Sequence, residues 1–170
     1  MNSGFCLLKY RIAGAAWSLD FTPEVISELA SYAQRGWRSR EAVGQLYTSN
    51  LTGESIQVAR VTRIKPLWAA YAGVRLNMAS VVRERQAMYA QGFHCLGFWH
   101  SHPEPRPKPS CEDSQMAKDH AIAGKSDFEG LVFAIVGTDP FPSGLGVWVH
   151  DGEVMWSADH ESALGDLRLE

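Results

Sequence analysis

His94-Cys95-Leu96-Gly97-Phe98-Trp99-His100 reads as a short, buried strand, and Ser101-His102-Pro103 ends it. From Pro103 to Pro109 proline takes every second position, so this segment is neither strand nor helix. Glu112 to Ala123 then has the makings of a helix, and Leu131 to Val136 is a run of strand formers. Further on, Gly144 to His150 and Glu153 to Ser157 flank Asp151-Gly152, the strongest hairpin signal in the chain. Upstream, Gly73 to Gln91 has few breakers. Leu76, Ala79, Val82, Gln86 and Tyr89 predict a long helix there, with Arg83 and Arg85 on its wet face.

The first third of the chain completes the pattern. Phe5 to Ala13 alternates Lys9 and Arg11 with apolar residues, which predicts an opening strand. Thr22-Pro23-Glu24 supplies a capping hydroxyl, a proline for the first helical position and an acid in the first turn. Val25, Ile26, Leu29, Ala30, Ala33 and Trp37 follow at helical spacing, with Gly36 near the end. Val43 to Thr48 and Ile56 to Ile64 read as two strands of a hairpin around Asn50-Leu51-Thr52-Gly53, ended by Pro66. Strands alternate with helices and then run together, so the expectation is an α/β (α+β) fold, a mixed sheet flanked by helices. No repeat, low-complexity tail or linker divides residues 1–170, which are read as one domain.

Composition narrows the function classes. The chain has 170 residues, of which 45% are hydrophobic and 21% charged, which excludes collagen, coiled-coil and disordered chains. A net charge of −3 argues against nucleic acid as the main partner, because phosphate binding wants a basic excess. Cys6, Cys95 and Cys111 form no disulfide framework, so a reducing cytoplasm is expected. The apolar run near the N-terminus is too short for a signal peptide and lacks a basic leader, and no stretch is long enough for a membrane span.

The chemistry concentrates between His100 and Asp113. Two histidines at i and i+2 face opposite sides of a regular strand, but at a strand's end both can converge on one ion. The four prolines stiffen the connection to the next helix and lower the entropy lost when a third ligand joins the first two. Asp113 can supply that ligand, and by spacing alone Cys111, Glu104 and Glu112 are alternatives. Two histidines and a carboxylate leave zinc an open fourth position, the catalytic rather than the structural arrangement. His102-Pro103-Glu104 also spells the His-x-Glu of zinc deaminases, but the Pro-Cys-x-x-Cys partner motif is missing, since Ser114 stands where the second thiol belongs. His94, His120, His150 and His160 have no partner spacing, and the six tryptophans read as packing.

His100-Ser101-His102-Pro103, followed by Ser110 and Asp113, resembles the metal-binding motif of JAMM (MPN-plus) zinc isopeptidases. Glu41-Ala42-Val43-Gly44-Gln45-Leu46 resembles the segment that carries that family's catalytic glutamate. The proline-rich string is similar to a bacterial JAB branch, whose members accompany ubiquitin-activating-like and conjugating-like enzymes in antiphage operons. Two departures are Thr48, where many relatives have glycine, and Phe98, where the bacterial branch often has an acid. The resemblance implies a cytidine-deaminase-like layered sheet and one zinc per chain on His100, His102 and Asp113. It also implies Glu41 as general base and Ser110 as donor to the oxyanion. The implied substrate is a peptide or isopeptide bond at the tail of a ubiquitin-like modifier or its conjugate. Two other readings stay open: a non-catalytic MPN-type binding module, and a JAMM hydrolase of small metabolites.

Overall fold

A computed structural model describes residues 6–36, 38–65, 67–70, 73–126 and 129–162. Trp37, Pro66 and Phe5, which entered the sequence reading, lie outside the described residues. The chain runs β1 (Leu8–Ile12), β2 (Ser18–Phe21), α1 (Pro23–Ser31), β3 (Val43–Thr48), β4 (Ser55–Val58), β5 (Arg60–Val61), β6 (Trp68–Ala70) and β7 (Gly73–Arg75). It continues with α2 (Met78–Tyr89), β8 (His94–Ser101), α3 (Cys111–Ala123), β9 (Leu131–Val136), β10 (Leu145–His150) and β11 (Met155–His160). Nine strands form one mixed sheet in the order β4-β2-β1-β11-β10-β9-β8-β3-β5, and β6 pairs with β7 alone. The mixed α/β expectation therefore holds.

The sheet's two edge strands are consecutive in the chain, separated only by Ala59. Its edges consequently meet, and Ala59 N–H donates to the Tyr47 carbonyl across the seam at 2.9 Å. The expected hairpin is only half right for this reason. The run from Ile56 to Ile64 splits: β4 pairs in parallel with β2, while β5 pairs antiparallel with β3. The sequence reading missed β2 altogether, a four-residue strand too short to show an alternation.

Each face of the sheet buries different helices. Val25, Ile26 and Leu29 of α1 pack with Phe21, Leu46, Trp99 and Val147 on one face. Val81 of α2 and Ala117 and Ala121 of α3 pack with Phe98, Phe133 and Ile135 on the other. Thr22 caps α1 as expected, accepting from Val25 N, but the helix stops at Ser31 rather than continuing toward Gly36. Tyr32 stacks on Trp99 there, with ring centroids 4.8 Å apart, and the chain turns back toward β3.

The long helix starts late and faces the other way. Residues 73–75 are strand, and α2 begins only after Asn77, whose side chain accepts from the N–H groups of Ala79 and Ser80. The predicted apolar stripe is largely the wet side: Ala79, Val82, Gln86 and Tyr89 are exposed. Polar satisfaction of β3 decides the orientation. Glu84 accepts from Gln45 Nε2 at 2.8 Å, from Tyr47 Oη at 3.0 Å and from the Thr62 hydroxyl. Arg85, expected in solvent, donates to Gln45 Oε1 at 2.6 Å and lies over the Phe98 ring. Gln45 and Tyr47 left without these partners would cost about 1–3 kcal/mol for each unsatisfied group. The several groups together outweigh the burial of one valine, about 1.5–3 kcal/mol.

Candidate metal centre

His100 is the last histidine within β8, and His102 is the residue just past its end. His102 N–H donates to the carbonyl of Val136, the last residue of β9, at 2.8 Å, which carries the β8–β9 ladder one residue further, and Pro103, with no N–H, ends it. Released from the strand's alternation, the His102 ring swings toward His100. The two Nε2 atoms stand 2.8 Å apart.

The proline segment is strapped to the loop after β9. Thr138 N–H donates to the Glu104 carbonyl at 2.9 Å and Asp139 N–H to the Pro105 carbonyl at 3.1 Å. Gly137 permits this approach, since a Cβ there would lie 2.6 Å from the Pro105 carbonyl oxygen. Arg106 pairs with Asp139 at 3.3 Å on the exposed side. The strap delivers the chain to Ser110, which caps α3 in a reciprocal box. Ser110 Oγ accepts from Asp113 N–H at 3.1 Å, and Asp113 Oδ2 accepts from Ser110 N–H at 2.7 Å. The cap fixes the aspartate on the first turn of the helix, facing both imidazoles.

His100, His102 and Asp113 each offer one donor atom, all within 4.8 Å of one another, the one such group among the described residues. His100 Nε2 lies 3.2 Å from Asp113 Oδ1, and His102 Nε2 lies 3.3 Å from Oδ2. Ligands about 2.0–2.1 Å from a tetrahedral zinc are about 3.3 Å apart. The two carboxylate distances, to different oxygens, match this, and the two imidazole nitrogens at 2.8 Å would have to part slightly. Cys111, Glu104 and Glu112, the alternatives left by spacing, are not in this group. Glu104 instead stands 3.6 Å from His102 Nδ1, beyond hydrogen-bond reach, and that nitrogen is buried without a hydrogen-bond partner among the described residues.

Electrostatics favour the ligating forms of His100 and Asp113, and the protonated form of His102. Burial lowers the His100 pKa and keeps its imidazole neutral. Burial opposes charge on Asp113 too, but hydrogen bonds from both histidines and from the Ser110 N–H hold its pKa far below the ordinary range. At His102 burial is outweighed by Asp113, Glu41 and Glu104, and the pKa rises.

Glu41 comes to the same place from a different direction. It lies just before β3, in no regular element, with Oε1 at 3.8 Å from His102 Nε2. It is 5% exposed, and burial pushes its pKa up to about 7. Gly44 lets β3 approach closely here: a Cβ would sit 1.7 Å from the Thr62 carbonyl oxygen, which accepts from Trp99 Nε1. The structure thus brings together all five residues singled out from the sequence. Phe98 packs between Arg85 and His120, and Thr48 is buried, with its hydroxyl bonded to Asn50.

Two imidazoles and a carboxylate converge on one point, with a buried glutamate beside them, a group that could hold a metal ion next to a titratable residue. The family of prokaryotic homologs of the JAB domain matches residues 22–150, and the chain belongs to it. Among solved structures, a Desulfitobacterium hafniense protein has the same fold at 20% identity, with a TM-score of 0.60 over 84% of this chain and 88% of that one. A Salinibacter ruber protein is similar at 18% identity and a TM-score of 0.50, over the same shares of the two chains. No curated protein matches. No helix among the described residues is long and apolar enough to cross a membrane.

Proposed function

We propose that this chain is a zinc-dependent isopeptidase or peptidase of the JAMM type. It would hydrolyse the bond after the C-terminal tail of a ubiquitin-like modifier, in deconjugation or precursor processing, in a bacterial antiphage system. The observation that carries this reading is the convergence of Glu41 on the His100–His102–Asp113 group, with 3.8 Å between Glu41 and His102. A binding module has no need of a buried carboxyl at that distance, so this geometry favours catalysis over the scaffold reading. The modifier as substrate rests on the family resemblance.

Zinc held by His100, His102 and Asp113 supplies Lewis-acid polarisation of the scissile carbonyl and lowers the pKa of water. Glu41, with a pKa near neutrality, accepts a proton from the attacking water and returns it to the leaving amine. Ser110 Oγ uses a lone pair for Asp113 N–H, which leaves its own proton to donate to the developing oxyanion.

The test is cleavage of a fusion between a ubiquitin-like modifier and a reporter. Zinc-loaded protein is expected to cut after the modifier's last residue, and chelator-treated protein to stop until zinc is restored. Cleavage undiminished in the chelated protein refutes the proposal.

A further inference from the structure

Glu41 stands outside any strand or helix, yet its carboxyl must be placed to within about half an ångström to work as a base. Two neighbours in the chain are tied down by one buried side chain. Gln34, 4% exposed in the loop after α1, donates from Nε2 to the carbonyl of Ser39 at 3.3 Å. Its Oε1 accepts from the hydroxyl of Ser101 at 3.3 Å. Ser101, between the two histidines, accepts from the Ala42 N–H at 2.9 Å, and its own N–H donates to the Ala42 carbonyl at 2.9 Å.

A hydroxyl has one proton. When Ser101 gives it to Gln34, the lone pairs turn toward Ala42, so the amide oxygen of Gln34 sets the polarity of the bond that fixes the residue after Glu41. The amide nitrogen of the same side chain fixes the residue two positions before Glu41. The base is therefore held from both sides, against the strand that carries the two histidines.

We propose that Gln34 is the positioning residue of the general base, acting on Glu41 through Ser101 and the Ser39 carbonyl. The part that concerns catalysis rests on the function proposed above. The clamp itself does not, so the two are tested by separate readouts.

Amide hydrogen exchange on the intact chain reads the clamp without any turnover. Ala42 is expected to be protected to the level of Gln45 in β3, and Gln34→Met to raise its exchange about tenfold or more while Gln45 and Trp99 stay unchanged. Ala42 exchanging in wild type like an open loop overturns the clamp, and so does protection that survives Gln34→Met. On the zinc-loaded chain, Gln34→Met is expected to lower kcat about 10–100-fold with KM and zinc affinity within about twofold. Gln34→Glu keeps the acceptor for Ser101 and is expected to recover part of that loss; it also carries the test where Gln34→Met does not fold. In a Glu41→Gln background, Gln34→Met is expected to cost nothing more. An equal further loss there would mean that Gln34 supports the fold in general and would overturn its role toward Glu41. Absence of cleavage by every variant, wild type included, counts against the proposed function alone, and the exchange result then decides the clamp.

Discussion

The two halves of the site are built differently. His100, His102 and Asp113 hang on regular elements: the end of β8, and a helix whose capping box includes the ligand itself. Glu41 hangs on none, and side chains from the α1 loop and β8 cross to the backbone of Ser39 and Ala42 on either side of it. The difference teaches that metal ligands are fixed by local geometry, whereas the base is fixed by tertiary contacts. A change in one half should therefore leave the other largely intact.

Removing a ligand is the harshest way to break that division. His102→Ala or Asp113→Ala should abolish both zinc binding and fusion cleavage, down to the rate of the chelated wild type, as read by equilibrium dialysis alongside the assay. Asp113→Ala also removes one arm of the α3 cap, so a small stability loss, about 1 kcal/mol, is expected with it.

Glu41→Gln sharpens the comparison from the other side. It should keep zinc and lose cleavage by about 10²–10⁴-fold. Its effect on the metal-free fold has a definite sign. Burial raises the folded pKa of Glu41 to about 7, above the ordinary value of a glutamate in the unfolded chain. The folded state then holds the extra proton, and stability is lost as pH rises through that interval. Urea denaturation of the zinc-free chain at pH 8 should find Glu41→Gln more stable than wild type by about 1–2 kcal/mol, after allowance for screening. The gap should close near pH 4. A variant that is less stable than wild type at pH 8 would show that the fold does not strain this carboxyl.

Ser110→Ala touches both functions of one hydroxyl. Loss of the oxyanion donor should reduce kcat about 10²–10³-fold, and loss of the cap should cost about 1 kcal/mol of stability. Ser110→Asp, which caps but has no proton to donate, should restore stability and not kcat. The smallest effect belongs to Glu104→Gln, expected to leave zinc affinity and fold nearly unchanged, since this exposed carboxylate is beyond hydrogen-bond reach of His102 Nδ1.

The ligand half was legible in the sequence because its information is short-range. The His-x-His spacing, the alternating prolines and the acidic head of α3 marked the region by the rules of strand ends and helix starts, and the family resemblance chose Asp113 over Cys111, Glu104 and Glu112. Glu41 was found through the family resemblance, since nothing in its own spacing marks it. Gln34 had no signal, because its partners Ser39 and Ser101 are joined by tertiary contact. The fold divides in the same way. Strands β8 and β9 and helix α3 read correctly from apolar runs and caps, whereas α2 was turned to the wrong face. Its sheet-facing positions include Glu84 and Arg85, which satisfy polar side chains of β3 that a periodicity count ranks as surface.

Zinc content after dialysis against a slight excess of the ion tests the central claim most directly. The account predicts one zinc per chain in wild type and in Glu41→Gln, and none in Asp113→Ala at the same free zinc. A wild-type chain that takes up no zinc, or an Asp113→Ala chain that still holds one, would contradict it.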